Sequence, residues 1–407
     1  MNKQEIIEGE SKYIVNTYLR PEIVFSHGQG SYLYDTSGKR YLDFTSGIAV
    51  TALGHADPQW LAAVSEQAAK LVHVSNLYHT EPHVALARRL VENSFADRVY
   101  FCNSGAEANE AAIKFTRKYA RSISAAENET GPDSQLDNPP SKSEIVAFSG
   151  GFHGRTVGAL ATTHKAKYRD PFAPLMPGVT FAPFNDLDAA QRVINQDTCA
   201  VIVEPIQGEG GVNPASQDFL GGLRHICDQN QALLIFDEVQ CGLGRTGHLW
   251  AHEAYDTIPD IMTLAKPLAG GLPIGATLVN QAVADVIKPG DHGSTFAAGP
   301  LVCRAAEIVF DRVSDPRFLR QVTENGAYLR RRLENLEHEE IVQIRGQGLL
   351  FGLEMKTAVA PLLAKAREKG LLLINAGETV LRLAPPLIVN QAEIDQAVTV
   401  IDQIITE

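Results

Sequence analysis

The 407-residue sequence has no apolar stretch long enough to span a bilayer, so a membrane-embedded chain is not expected. Its start, Met1 to Glu10, lacks the apolar core of a secretory signal. Long basic runs are missing too. With a formal net charge of -12, no nucleic-acid partner is expected. Five cysteines, Cys102, Cys199, Cys227, Cys241 and Cys303, show no Cys-x-x-Cys spacing. Scattered thiols of this kind suit a reducing cytoplasm, which is the expected location. There is no His-Glu-x-x-His or other metal-ligand cluster, no Gly-x-x-x-x-Gly-Lys-Ser/Thr loop, no Gly-x-Gly-x-x-Gly, no heptad seam and no internal repeat. No metal is expected, and a P-loop ATPase is excluded.

What is present centres on one stretch. Ala232-Leu-Leu-Ile-Phe-Asp237-Glu238 is an apolar run that ends in two carboxylates. It reads as a buried parallel strand, and ligands sit beyond the C-terminal ends of such strands. Downstream, Thr263-Leu-Ala-Lys266-Pro267 sets a lone lysine in apolar, glycine-rich sequence. Such surroundings oppose charging the amine, and a neutral lysine is a nucleophile toward carbonyl compounds. A strand-end acid and a desolvated lysine suggest a site for pyridoxal 5'-phosphate (PLP). The lysine would hold the cofactor covalently and the aspartate would keep its ring nitrogen protonated.

Strands and helices alternate around this stretch, which predicts an α/β fold with a mostly parallel sheet. Gly30–Asp35 and Arg40–Phe44 flank a hairpin turn. Helices are expected from Pro58 to about Val72, with Leu61, Val64, Ala68 and Leu71 on one face, and from Glu81 to about Asn93. The strand Val99–Cys102 leads through Asn103-Ser104-Gly105-Ala106 into a helix running from Glu107 to about Arg121. That geometry can cradle a phosphate, and equally it can be a plain cap by Ser104. Residues 122–143 are rich in turn formers and read as a surface insertion.

The strand Glu144–Phe148 ends in glycines that bracket Phe152, His153 and Arg155. Phe152 could stack on a flat ring and Arg155 could grip a carboxylate. Singly, a core Phe and a surface Arg are the ordinary readings. Cys199–Val203 is a further strand, and Gly210 and Gly211 beyond it predict a backbone turn close to a ligand. Leu272–Val279 reads as a strand pair, and Pro300 opens a helix to about Val313. A charged helix at 316–336, strands at 341–345, 349–354 and 380–383, and helices near 358–369 and 391–405 make a smaller α+β unit. The expected division is an N-terminal segment, 1–57, belonging with the small domain; a large PLP-binding domain, 58–294; and a small C-terminal domain, 295–407.

Taken together, these residues resemble the class III (ω-amino acid) aminotransferases of PLP fold type I over almost the whole chain. The likeness is carried by Ser46-Gly-Ile-Ala-Val50, Phe101-Cys-Asn-Ser-Gly-Ala-Glu-Ala-Asn-Glu110, Phe152-His-Gly-Arg-Thr156, Val203-Glu-Pro-Ile-Gln-Gly-Glu-Gly-Gly211, Phe236-Asp-Glu-Val-Gln240, Gly244-Arg-Thr-Gly247 and Ala265-Lys266. The resemblance implies that Lys266 carries the cofactor and shuttles the proton, with Asp237 as the partner of the ring nitrogen. It implies that Ser104, Gly105 and Ala106 hold the phosphate, and that Phe152, Glu238, Val239 and Gln240 lie against the cofactor. Thr295 matches a threonine that reaches the phosphate of the neighbouring subunit, so a homodimer with shared sites is expected. Arg155, Ser294, Arg382, Glu209 and Tyr18 are the expected substrate residues, Glu209 masking Arg382 in a switch between substrates. Glu204 is expected to support the site.

The implied reaction is ping-pong transfer from an ω-amine to 2-oxoglutarate through pyridoxamine phosphate, with N2-acetyl-L-ornithine as donor, in arginine biosynthesis. Succinylornithine, ornithine, 4-aminobutyrate or a carrier-bound lysine precursor are alternative donors, and a non-catalytic PLP-fold binding protein is the alternative of a different class. Two departures stand out. Ala297-Ala298-Gly299-Pro300 replaces the Gly-Gly-Asn-Pro common in the family. Ile48 stands where ornithine aminotransferases tend to have a tyrosine, which favours an acylated donor.

Overall fold

The computed structural model describes residues 1–128 and 142–407. Seven strands form the central sheet, in spatial order Arg98–Cys102, Gly275–Val279, Ile261–Leu264, Leu233–Asp237, Thr198–Val203, Glu144–Phe148 and Val179–Ala182. The last five run parallel, and Gly275–Val279 is antiparallel to both its neighbours. The expected α/β fold with a mostly parallel sheet is therefore present. Leu272–Val279 yields one strand where a pair was expected. Pro273 has no N–H for a ladder, and pairing starts only at Gly275.

The alternation of side chains along the central strand explains its continuous apolar run. Leu233 and Ile235 pack with Ala111, Ala112 and Phe115 of the helix Gly105–Asn128. Leu234 and Phe236 point the other way, onto Phe219, Leu220 and Leu223 of the helix Gln217–Gln229. With helices on both faces, each position must be apolar, and burying each large side chain contributes about 1.5–3 kcal/mol. The same period of two puts Asp237 on the Leu233–Ile235 side, which is the side of the long helix.

That helix begins at Gly105, two residues earlier than expected, and continues through 122–128. Those last residues contain neither Gly nor Pro, so nothing in the backbone interrupts the helix. Of the rest of the expected insertion, 129–141 lies outside the described residues, and Lys142 is buried, with its Nζ donating to Asn230 O.

The helix Pro58–Lys70 starts where expected, with Asp57 accepting from the N–H groups of Gln59 and Trp60. Its inward stripe differs from the expected one. Ala63 and Gln67 are buried, whereas Leu61, Ala68 and Leu71 are exposed. Apolar residues occupy two stripes of this helix, and its packing on the helix Pro300–Val313 selects one. The expected hairpin is present as Tyr32–Asp35 paired with Arg40–Asp43.

The C-terminal strands form a four-stranded antiparallel sheet, in order Ile341–Gln347, Leu350–Met355, Val380–Leu383 and Ile374–Ala376. The strand Ile374–Ala376 was not anticipated. Nor was Leu371–Leu372, which pairs in parallel with Arg40–Asp43 and ties the two ends of the chain together. Among the described residues, no helix is long and apolar enough to cross a membrane.

Candidate active site

A cavity of about 400 Å³ opens at the C-terminal end of the central strand. Asp237 forms part of its floor and is buried. Its Oδ2 accepts from Asn109 Nδ2 at 2.8 Å and lies 2.8 Å from His153 Nδ1; its Oδ1 accepts from Val239 N at 3.0 Å. Asn109 is held in turn by the Thr263 hydroxyl, which donates to its Oδ1 at 2.8 Å. Burial works to lower the His153 pKa, but the Asp237 carboxylate outweighs it and the net shift is upward. The protonated form of the imidazole is therefore favoured beside the acid.

Lys266 opens a short 3-10 turn directly beyond the strand Ile261–Leu264. Its φ of +23° is sterically costly for a side-chain-bearing residue. Nζ has no hydrogen-bond partner among the described residues. Burial pulls the amine down to about 8 from an ordinary 10.5, and Arg382 adds to the drop. About a tenth of this lysine is thus a neutral nucleophile at pH 7, against well under a hundredth for an ordinary lysine.

The turn before the long helix faces the same cavity. Ser104 caps the helix, its hydroxyl accepting from Glu107 N at 3.2 Å, and the Glu107 carboxylate takes Asn103 N at 2.6 Å. The N–H groups of Gly105 and Ala106 have no acceptor among the described residues. A Cβ on Gly105 would stand 2.7 Å from Val239 Cγ1, so the backbone can reach the cavity only as glycine. Two unengaged N–H groups at the start of a 24-residue helix fit a phosphate. With the unpartnered Lys266 amine and the oriented Asp237, they fit PLP.

Phe152, Arg155, Val239, Gln240 and Glu209 also line this cavity. It adjoins an outer chamber of about 860 Å³ that shares Phe152 and Glu209 and is lined further by Ile48, Tyr168 and Arg382. Arg382 is fully buried. Its Nη1 donates to Glu209 Oε1 at 2.6 Å and to Gln240 Oε1 at 3.0 Å, while its Nε has no partner. Burial acts to raise the Glu209 pKa, and Arg382 reverses this to a net lowering. Glu204 accepts from Phe152 N and Gly208 N, and burial pushes its carboxyl up to about 7.

Ile48 reaches the outer chamber from an unusual backbone. Ser46, Gly47, Ile48 and Ala49 have φ of +42°, +64°, +68° and +63°, a left-handed turn that costs about 1–2 kcal/mol per non-glycine residue. Asp43 holds it by accepting from Thr45 N and Ser46 N, and Ser46 Oγ donates to Ala384 O at 2.5 Å.

Several expected residues lie elsewhere. Glu238 does not reach the cavity. Its carboxylate accepts from Ala251 N and His252 N and lies 2.7 Å from His252 Nδ1. It leaves the strand end on the side opposite Asp237, so it anchors the 250–252 segment and lines neither chamber. Tyr18 is exposed, beside Arg20, and lines neither chamber; the arm that carries it is almost wholly exposed. Ser294 sits one layer behind the wall, its Oγ accepting from Asn103 Nδ2 at 2.8 Å. Thr295 is exposed and absent from the lining of its own cavity. Gly210 borders the outer chamber, but its need for glycine comes from Gly150 O, 2.5 Å from any added Cβ, and Gly211 O takes Arg345 Nε. The loop that lacks the family asparagine is held from outside: Asn76 Nδ2 donates to Ser294 O and Ala297 O.

Asn109, Thr263 and His153 received no role from the sequence. Asn109 and Asp237 are 128 positions apart, and only His153, next to Phe152, carried any local signal.

Residues 13–405 match the model of the aminotransferase class-III family. The chain is 52% identical to the mitochondrial acetylornithine aminotransferase of Alnus glutinosa, over 98% of this chain and 87% of that one. Among solved structures it is similar to the ornithine aminotransferase of Toxoplasma gondii, with a TM-score of 0.92 at 31% identity, covering 100% of this chain and 95% of that one. It is also similar to the N-acetylornithine aminotransferase of Stenotrophomonas maltophilia, with a TM-score of 0.81 at 35% identity and 98% of each chain covered.

Proposed function

Because the chain belongs to the class III aminotransferases, we propose that it transfers the δ-amino group of N2-acetyl-L-ornithine to 2-oxoglutarate, giving N-acetylglutamate 5-semialdehyde and glutamate, in arginine biosynthesis. The observation that carries this reading is a depressed amine at Lys266 and a masked guanidinium at Arg382 in two adjoining chambers that share Glu209.

Bound PLP supplies an electron-withdrawing ring that acidifies the carbon–hydrogen bond beside the substrate nitrogen and stores the amino group between half-reactions. The Gly105 and Ala106 N–H groups, with Ser104 alongside, would hold its phosphate. Asp237, oriented by Asn109, Val239 N and His153, would partner the ring nitrogen. Phe152, Val239 and Gln240, which line the cavity, would lie against the ring. Lys266 Nζ would anchor the cofactor and would take the proton from the substrate δ-carbon and deliver it to the cofactor's reacting carbon. Arg155 would grip the donor's α-carboxylate and, in the second half-reaction, the carboxylate of 2-oxoglutarate far from its keto group. Glu209 keeps Arg382 occupied while a donor without a carboxylate near its reacting amine is bound. The carboxylate beside the keto group of 2-oxoglutarate then displaces Glu209 and pairs with Arg382. An acylated α-nitrogen carries no charge, so the aliphatic Ile48 suits it in the outer chamber.

We place the cofactor on residues 58–294, flanked by 1–57 and 295–407, whose ends are joined through Leu371–Leu372. The active form is a homodimer in which Thr295 completes the partner's phosphate site. Exposed Leu71, Val72, Leu77, Tyr78 and Phe296 around Thr295 support this, since such a surface calls for a cover. Five free, buried cysteines suit the cytoplasm.

The test is the visible absorbance of the holoenzyme before and after N-acetylornithine is added without 2-oxoglutarate. Bleaching of the cofactor band is expected. A band that persists with N-acetylornithine but bleaches with another ω-amine changes the donor, and no band after added PLP overturns the reading.

A further inference from the structure

Tyr168 is a side chain that the proposed chemistry leaves without a role. It lies half-buried in the short helix Ala166–Arg169, at the wall of the outer chamber. The Arg155 guanidinium carbon stands 3.6 Å from the centre of its ring, against 5.6 Å from that of Phe152. Phe152 meets Tyr168 edge-on, with centroids 6.3 Å apart. The ammonium groups of Lys165 and Lys167 each lie 5.5 Å from the same ring. Among the described residues, neither Arg155 nor the Tyr168 hydroxyl makes a hydrogen bond or an ion pair.

An exposed arginine loses rotamer freedom when a carboxylate captures it, which weakens the capture. A ring face can hold the guanidinium plane by charge–quadrupole attraction. Unlike an acidic partner, it occupies none of the five N–H donors. We infer that Tyr168 is a positioning residue: its ring pre-orients Arg155, so that the guanidinium meets an incoming substrate carboxylate with every donor available. The ring performs this task and the hydroxyl does not. The inference rests on Arg155 being the carboxylate clamp.

Glutarate is a suitable probe, a dicarboxylate without the keto group that transamination needs. Its dissociation constant for the holoenzyme is measured by calorimetry for Tyr168→Phe, Tyr168→Leu, Arg155→Ala and the double variant Tyr168→Leu with Arg155→Ala. Tyr168→Phe should bind within about twofold of the parent, and Tyr168→Leu about fivefold more weakly. Added to Arg155→Ala, Tyr168→Leu should have no further effect. In turnover, Tyr168→Leu should raise KM for 2-oxoglutarate by more than it lowers kcat. Equal weakening by Tyr168→Leu in both backgrounds, or none in either, overturns the positioning role. If Arg155→Ala itself leaves glutarate binding intact, the clamp reading fails first. Tyr168 belongs to no core cluster, so the leucine variant is expected to fold, and Tyr168→Met provides a second ring-free comparison.

Discussion

The Arg382 guanidinium donates to the Glu209 carboxylate at 2.6 Å, with Gln240 as a second acceptor on the same Nη1. The cation is buried, whereas the acid is about one-third exposed and can move toward solvent. Removing one partner of a buried pair leaves the other uncompensated, so substitutions at the two positions should act differently. Glu209→Gln frees Arg382, and 2-oxoglutarate or glutarate should bind about tenfold more tightly. Arg382→Ala should slow the half-reaction with 2-oxoglutarate by about 100-fold or more while largely sparing the N-acetylornithine half-reaction. Single-turnover absorbance with each substrate separates the two, and an intact 2-oxoglutarate half-reaction in Arg382→Ala would falsify the switch.

His153 lies against a carboxylate that also serves the cofactor site. His153→Leu should destabilise the fold by about 3 kcal/mol and weaken PLP binding, with His153→Asn recovering part of both. Because the His153 pKa is raised from 6.5, its contribution is complete below pH 6.5 and is lost as pH rises through the folded value. Denaturant melts of parent and variant should therefore converge at high pH. A gap independent of pH means that His153 acts through packing alone.

Lys266 gives the opposite sign. Its amine falls from 10.5 to about 8, so in the apoprotein its charged form is penalised fully below pH 8, and the penalty fades between 8 and 10.5. Lys266→Ala apoprotein should be more stable than the parent at pH 7, by up to about 3 kcal/mol, and lose that advantage toward pH 10.5. Uptake of PLP by the parent apoprotein should accelerate through pH 8, followed by stopped-flow absorbance. Acceleration centred near 10.5 would show that the amine is not desolvated.

Thr295 is exposed and takes no part in its own cavity. If it completes the partner's site, Lys266→Ala and Thr295→Val subunits should complement each other. Mixed dimers contain one site with both residues intact, so random exchange at limiting PLP should restore about one quarter of parental activity. Activity no higher than the sum of the separate variants would place Thr295 in its own chain's site or in none.

The sequence already marks the central strand, because a run of five apolar residues ending in Asp237 has few other uses, and Lys266 stands out against its apolar neighbours. The glycine at 105 marks the phosphate turn for the same local reason. Glu238 shows the limit of such reading. It adjoins Asp237 in the chain, yet the alternation of a strand turns it toward His252. The stripe Leu61, Val64, Ala68 and Leu71 fails similarly, since helical spacing identifies candidate faces and the packing of the helix Pro300–Val313 chooses between them.

From the sequence alone come the α/β class, the chemistry of a depressed lysine beside a strand-end acid, and the family in which both occur. These depend on neighbours within a few residues, where backbone geometry is nearly fixed by local pattern. The resemblance already pairs Arg382 with Glu209; only the tertiary structure decides that Asn109, Thr263 and His153 converge on Asp237 and that Tyr168 lies under Arg155. Each of those contacts joins segments whose separation is closed by sheet order and domain packing, and no local period in the chain encodes it.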